Sequence, residues 1–430
     1  MKKAIVSILK KLHLYSLALM IYNIPVKIID QRREKKNEKI NQVIIENVSK
    51  RAKELITQIE SNNPNKGIVY IFQQTYYTTD GKQYISGGGE RYASDLAELI
   101  YNMGYQPILI QFGDPEGADI WTVKRRNLVV LGLNINWGLY SRVIAELDNP
   151  KLAIYSGFIN YGKKYFSPNV VISHGITWDA PSWDVGTDYI KDILFKAETL
   201  VSVDTNTISW MRSTFSKTLS DKKVNMQYVP NYTDIQKYIP NYDLRSKDKI
   251  RVIFPRRCSP ERGFWLITNI LPTIMEKYDN VVFDYVGFIH TEDIGMAIEK
   301  LKSKYPGRVN HYFVDADEIY KIYQKADITL IPTLYCEGTS LSCIEAMACG
   351  NLVISTNIGG LPNLIIDGYN GRLINPDEDE LLEALDETIR NEKLRKQMER
   401  NAVDVAMAFS KEKWEARWTK ILINSMGGSN

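Results

Sequence analysis

From Gly67 onward, short apolar runs alternate with segments whose apolar residues recur at helical spacing. Ile68–Phe72, Pro107–Phe112, Leu128–Leu131, Val170–Ser173 and Thr199–Val203 read as strands, with Arg91–Met103 as an intervening helix. The alternation lapses over residues 230–249, which hold two prolines and a charged end, and restarts at Arg251–Phe254. Val281–Val286, Ile328–Ile331 and Leu352–Ser355 follow as further strands. This pattern predicts an α/β fold class: two doubly wound, Rossmann-like domains with largely parallel sheets facing one cleft. The first domain is expected over 67–232, a linker over 233–249 and the second domain over 250–409, with a helix at 410–425 rejoining the first.

Ahead of Gly67 the pattern is purely helical. Ile5, Ile8, Leu9, Leu12, Tyr15 and Leu19 form one stripe, with Lys3 and Lys10 off it. Residues 31–63 continue as a charge-rich helix carrying Ile40, Val43, Ile44, Val48, Ala52 and Ile56, and the breakers Asn62-Asn63-Pro64-Asn65 end it. Residues 1–66 are therefore expected to form a basic helical leader.

Charge sharpens that picture. The 430 residues carry a net charge of only +3, which excludes a strongly basic nucleic-acid binder. Residues 1–39, however, hold ten Lys/Arg against three acids, so this stretch is +7 and the remainder −4. A basic amphipathic helix of this kind suits an anionic membrane surface, contacted through residues 1–30. The alternative is a helix docked on the body or on a partner chain. The leader's uncharged run, Leu12–Val26, is 15 residues and too short to span a bilayer; no small-residue cleavage site follows it, so it is expected to be retained. Cys258, Cys336, Cys343 and Cys349 show no C-x-x-C spacing, which suits a reducing compartment and a cytoplasmic location.

Three motifs sit at strand ends. Gly87-Gly88-Gly89-Glu90-Arg91 opens a helix, where bare backbone and helix amides can meet a phosphate. Tyr92 breaks the G-x-G-x-x-G spacing, so a nicotinamide dinucleotide site is not expected. Arg256-Arg257-Cys258-Ser259-Pro260-Glu261-Arg262-Gly263 follows the strand that opens the second half and can grip an anion. Glu337 and Glu345, separated by seven residues, flank Gly338-Thr339-Ser340-Leu341. Ser340–Ala348 reads as a short helix ending at Gly350, with Glu337 on the loop before it and Glu345 on the helix. One carboxylate can bond sugar hydroxyls and the other a ribose diol.

That E-x7-E run, followed by AMACG at 346–350, VIST at 353–356, GGLP at 359–362 and DGYNG at 367–371, resembles retaining glycosyltransferase family four. Gly87–Arg91, His174-Gly175, Val229-Pro230-Asn231 and Pro260–Gly263 resemble the family's other landmarks in order, as does the closing Phe409–Trp414 helix. The resemblance implies a GT-B fold with a sugar nucleotide (a UDP-, GDP- or dTDP-sugar) on the second domain. The acceptor, a glycan or lipid-linked glycan, would lie on the first. It further implies that Arg257 and Arg262 grip the diphosphate, Glu337 faces the donor sugar and Glu345 binds the ribose. Gly88, Gly89, Gly338, Thr339, Ser340 and Leu341 would complete the phosphate cradle. Thr339 stands where an aromatic residue is common, Tyr232 where glycine is, and Arg262 where lysine is. The implied reaction is retaining sugar transfer to an acceptor hydroxyl in surface polysaccharide synthesis; a non-catalytic GT-B partner subunit is the alternative.

His174, projecting from the end of Val170–Ile172, is expected in the cleft beside the donor sugar. Asp315-Ala316-Asp317 imitates a D-x-D metal site but precedes a helix start, where capping explains it. No cofactor, no divalent metal and no nucleic acid are expected.

Overall fold

The structure is a computed structural model and describes residues 15–62, 66–85, 87–112, 120–158, 165–176, 187–335 and 337–427. The apolar stripe expected from Ile5 to Leu19 lies outside the residues whose side chains are described, as does Cys336.

The first half forms a sheet of eight strands: β1 (Ile68–Gln73), β2 (Gln106–Phe112), β3 (Ile120–Arg125), β4 (Leu128–Leu133), β5 (Leu152–Ser156), β6 (Asn169–Ser173), β7 (Thr199–Ser202) and β8 (Asn225–Tyr228). Their order is β3-β4-β2-β1-β5-β6-β7-β8, parallel throughout except for β3, which runs against β4 along one edge. The second half forms a six-stranded parallel sheet: β9 (Ile250–Phe254), β10 (Val281–Val286), β11 (Val309–Tyr312), β12 (Ile328–Ile331), β13 (Leu352–Thr356) and β14 (Arg372–Ile374). Its order is β11-β10-β9-β12-β13-β14. Apolar runs such as Ile68–Phe72 bury both faces, as strands covered by helices on either side must. In each sheet the order reverses at one point, between β1 and β5 and between β9 and β12. A crevice opens outside the carboxyl ends of the strands at such a reversal, so the topology alone nominates two facing crevices.

Five strands are absent from the pattern read above. After buried Ile120, β3 alternates half-buried and exposed residues, as an edge strand does, and β8 is a partly exposed run of four residues. β5, β11 and β14 are three to five residues long, short enough to pass for loop.

A helix of 48 residues, Tyr15–Asn62, precedes β1. Its buried side chains are Ile45, Val48, Ala52 and Ile56, spaced by three, four and four, and they join the core on one face of the first sheet with Tyr70, Tyr140 and Val143. Arg142 donates to both carboxylate oxygens of Glu38, at 3.2 and 2.7 Å, and Lys53 lies 3.5 Å from Asp148. Of the apolar residues read on this helix, Val48, Ala52 and Ile56 are buried and Ile44 packs beside them, while Ile40 and Val43 are exposed.

The segment at 229–249 is packed rather than loose. Val229, Tyr232, Thr233 and Tyr238 are buried. Thr233 N–H donates to Phe409 O at 2.9 Å and Lys411 N–H to Thr233 O at 3.0 Å, so the two chain crossings run side by side. The returning helix Lys411–Ser425 inserts Trp414 and Trp418 against Tyr92 on the other face of the first sheet, with Trp418 Nε1–H donating to the Tyr92 hydroxyl at 2.7 Å. Trp418→Ala removes a fully buried ring and is expected to cost about 3–5 kcal/mol; urea unfolding with tryptophan fluorescence measures it.

Candidate active site

β9 and β12 are neighbours at the reversal of the second sheet, so the residues after their carboxyl ends converge. Glu337, 9% exposed, accepts on Oε2 from Arg256 Nη2 at 2.7 Å and from Arg262 Nη1 at 2.9 Å. The Thr333 hydroxyl donates to the same oxygen at 3.1 Å and accepts from Arg256 Nη1 at 2.6 Å. Gly263 makes Arg262's approach possible: it sits at φ +80, and a Cβ there would lie 1.8 Å from the Pro332 carbonyl oxygen. The like charge of Arg256, and then burial, pull the Arg262 pKa down. Positive charge is therefore in excess around one carboxylate, which is the electrostatics of an anion site.

Sequence reasoning gave the role at this strand end to Arg257. In the structure Arg256 reaches Glu337, and Arg257 is exposed. Arg256, two residues beyond the end of β9, is turned inward by its bonds to Glu337 and Thr333.

The helix Leu341–Ala348 starts beside this cluster with no side chain capping it. Ser340, at its N-cap, is 2% exposed and its Oγ has no hydrogen-bond partner among the described residues. Thr339 donates from Oγ1 to Val203 O, and Asn231 Nδ2 donates to Thr339 O at 2.6 Å. Glu345, in the second turn, is 4% exposed and accepts on Oε1 from Arg91 Nη2 at 2.7 Å. Arg245 holds the far end of the helix, donating to Cys349 O at 3.1 Å and Gly350 O at 2.8 Å while pairing with Glu399 at 3.1 Å.

From the first half come the ends of β1, β5 and β6. The helix Gly88–Asn102 follows β1; Gly88 faces Leu341, a Cβ there lying 3.1 Å from Leu341 Cδ1, while Gly89 borders open space. After β6, His174-Gly175 turns against Glu337-Gly338, and a Cβ on Gly175 would stand 2.7 Å from the Gly338 nitrogen. His174 Nε2 is 3.0 Å from Ser156 Oγ at the end of β5, and its ring meets Tyr92 edge-on at 5.1 Å. Burial pushes the imidazole down to about 4, so it is neutral at pH 7. The structure thus brings Glu337, Arg262, Gly338–Leu341, Glu345, Gly88 and His174 to one cleft. Arg256, Arg91, Thr333 and Ser156 are functional candidates that sequence reasoning passed over.

Asp315 and Asp317 are exposed in a turn closed by Glu318 N–H on Asp315 O at 2.9 Å. The helix that follows, Tyr320–Lys325, has no side-chain cap, so the capping role expected of these aspartates is corrected. Among the described residues no group of three His, Cys, Asp or Glu is arranged to hold a metal ion.

Residues 236–405, which include β9–β14, Arg256, Arg262, Glu337 and Glu345, match the family of glycosyl transferases group 1. The second half is a group 1 glycosyltransferase domain. An uncharacterized glycosyltransferase of Methanocaldococcus jannaschii is 39% identical over 100 residues, covering 23% of this chain and 28% of that protein. The matched stretches span 28–37% of the length of such curated relatives. Sucrose-phosphate synthase from Thermosynechococcus elongatus superposes with a TM-score of 0.67 at 17% identity, covering 85% of this chain and 100% of that one. HepE of Anabaena, solved in complex with UDP-glucose, gives 0.60 at 16% identity over 83% of this chain and 100% of its own. These likenesses establish the fold, which is GT-B. Among the described residues, no helix is long and apolar enough to cross a membrane.

In the first half, across the cleft from this domain, the neutral His174 sets a pH dependence. The unfolded chain binds a proton below about 6.5 and the folded one only near 4, so stability falls as pH drops through that window. From pH 7 to 5 the loss is expected to reach at most about 2 kcal/mol and to vanish in His174→Gln. Urea unfolding at the two pH values checks this.

Proposed function

We propose that the protein is a retaining glycosyltransferase that moves a sugar from a nucleoside diphosphate to an acceptor hydroxyl. The observation that carries the reading is the pair Arg256 and Arg262 on one buried carboxylate, beside an uncapped helix N-terminus. A diphosphate entering here meets two guanidinium groups, the amides at the helix start and the unpartnered Ser340 hydroxyl. As the bond from the sugar's anomeric carbon to the diphosphate oxygen breaks, negative charge grows on the leaving oxygens, and these donors stabilise it. The acceptor oxygen bonds to the same carbon from the leaving group's face, and its proton passes to the departing diphosphate. No side chain then forms a covalent intermediate. Glu337 faces the donor sugar, Glu345 takes the ribose hydroxyls, and neutral His174 offers the donor sugar a hydrogen-bonding ring nitrogen. The charge balance needs no divalent metal.

The donor is a UDP-, GDP- or dTDP-sugar, and the acceptor a glycan or lipid-linked glycan of surface polysaccharide synthesis at the cytoplasmic membrane face. The leader supports the last point: residues 1–39 carry +7 and enclose an uncharged run of 15 residues. In co-sedimentation, the full chain is expected to follow anionic vesicles and to lose them when residues 1–30 are deleted. Unchanged sedimentation of the truncated chain would remove the membrane argument.

A thermal-shift and donor-hydrolysis screen over UDP-, GDP- and dTDP-sugars, with and without EDTA, tests the reading itself. One nucleotide is expected to stabilise the fold, with slow EDTA-insensitive hydrolysis. Arg256→Ala and Glu337→Ala are each expected to abolish turnover, and Arg257→Ala to retain most of it. A folded protein that binds none of the nucleotides would instead point to a non-catalytic partner subunit.

A further inference from the structure

Arg91 and Glu345 lie 254 residues apart, on opposite sides of the cleft, yet Arg91 Nη2 is 2.7 Å from Glu345 Oε1. Among the described residues this is the ion pair that runs from the first-sheet half to the second-sheet half. The other polar bonds across the cleft are neutral: Thr339 on Val203, Asn231 on Thr339, and Asn363 on Thr205. Burial disfavours the Arg91 charge, but the Glu345 carboxylate more than offsets it and raises the Arg91 pKa. Tyr238, on the crossing segment between the halves, lies close enough to feel both charges.

We infer that Arg91 is a positioning residue for donor binding and acts through Glu345. The inference rests on the reading above that Glu345 takes the ribose of a nucleoside diphosphate. Arg91 occupies Oε1 and fixes the carboxylate, which leaves Oε2 to accept a ribose hydroxyl. It also cancels a negative charge that would otherwise oppose a diphosphate at the start of the same helix. Because the two residues belong to different halves, Glu345 is held this way only while the halves are together. Ribose binding and closure therefore favour each other, and the coupling is reciprocal.

The test uses the full-length chain with Arg91→Met, Glu345→Gln, the double variant and Arg91→Lys. Two quantities are read: the dissociation constants of UDP, GDP and dTDP by calorimetry, and the radius of gyration by solution scattering. Each single variant is expected to weaken the nucleotide that binds wild type by roughly tenfold and to expand the molecule. The double variant should be no worse than either single, because both act on one interaction. Arg91→Lys, which keeps the charge, should recover part of the loss. Wild-type affinity in Arg91→Met, or losses that multiply in the double variant, would overturn the inference. If wild type binds none of the three nucleotides, the donor reading fails separately. The scattering still judges the pair, since an unexpanded Arg91→Met variant would show that it does not hold the halves together.

Discussion

The constraint on which the cleft depends is a carboxylate buried between two arginines. Glu337 has little water around it, and its charge is compensated only because Arg256 and Arg262 converge on one oxygen. That convergence needs β9 and β12 to be neighbours, which the parallel order of the second sheet supplies. It also needs Gly263, where the backbone turns at positive φ against the Pro332 carbonyl and no side chain fits. Two cations on one anion leave a surplus of positive charge, and a diphosphate would answer it better than a second carboxylate.

The first half contributes mainly shape. Backbone meets backbone where Gly175 abuts Gly338, so the seam between the halves depends on glycine on both sides. His174 is held there by a relay that begins at the far end of the chain: Trp418 bonds Tyr92, and Tyr92 meets the His174 ring edge-on. A helix beginning at residue 411 thus helps to set the environment of a histidine in the other half of the sequence. Burial of the imidazole in that setting is why the ring stays neutral.

The leader has two parts with different physical roles. Its later part, from Glu38 on, is structural: Ile45, Val48, Ala52 and Ile56 cover one face of the first sheet, and the Arg142 and Lys53 pairs edge that contact. Its early part carries the basic excess. Among the described residues, the helix Tyr15–Asn62 runs from part of that basic stretch into the part that covers the first sheet.

The sequence by itself determined the architecture and the address of the site. Alternating apolar runs and helical periods specify a doubly wound fold, because strands buried on both faces leave an unbroken apolar signature. E-x7-E, the glycine run at 87–89 and His174-Gly175 mark strand ends, where such folds open. Tertiary structure decided which atoms meet. Arg256 rather than Arg257 reaches Glu337 because the loop after β9 turns one of the pair inward, and adjacent arginines in a loop carry no mark of which it will be. Arg91 reaches Glu345 only once two separately formed halves face each other, a juxtaposition no local pattern encodes. The leader's buried stripe likewise follows from the surface it lies on, since a helix apolar on more than one side does not itself specify which side is covered.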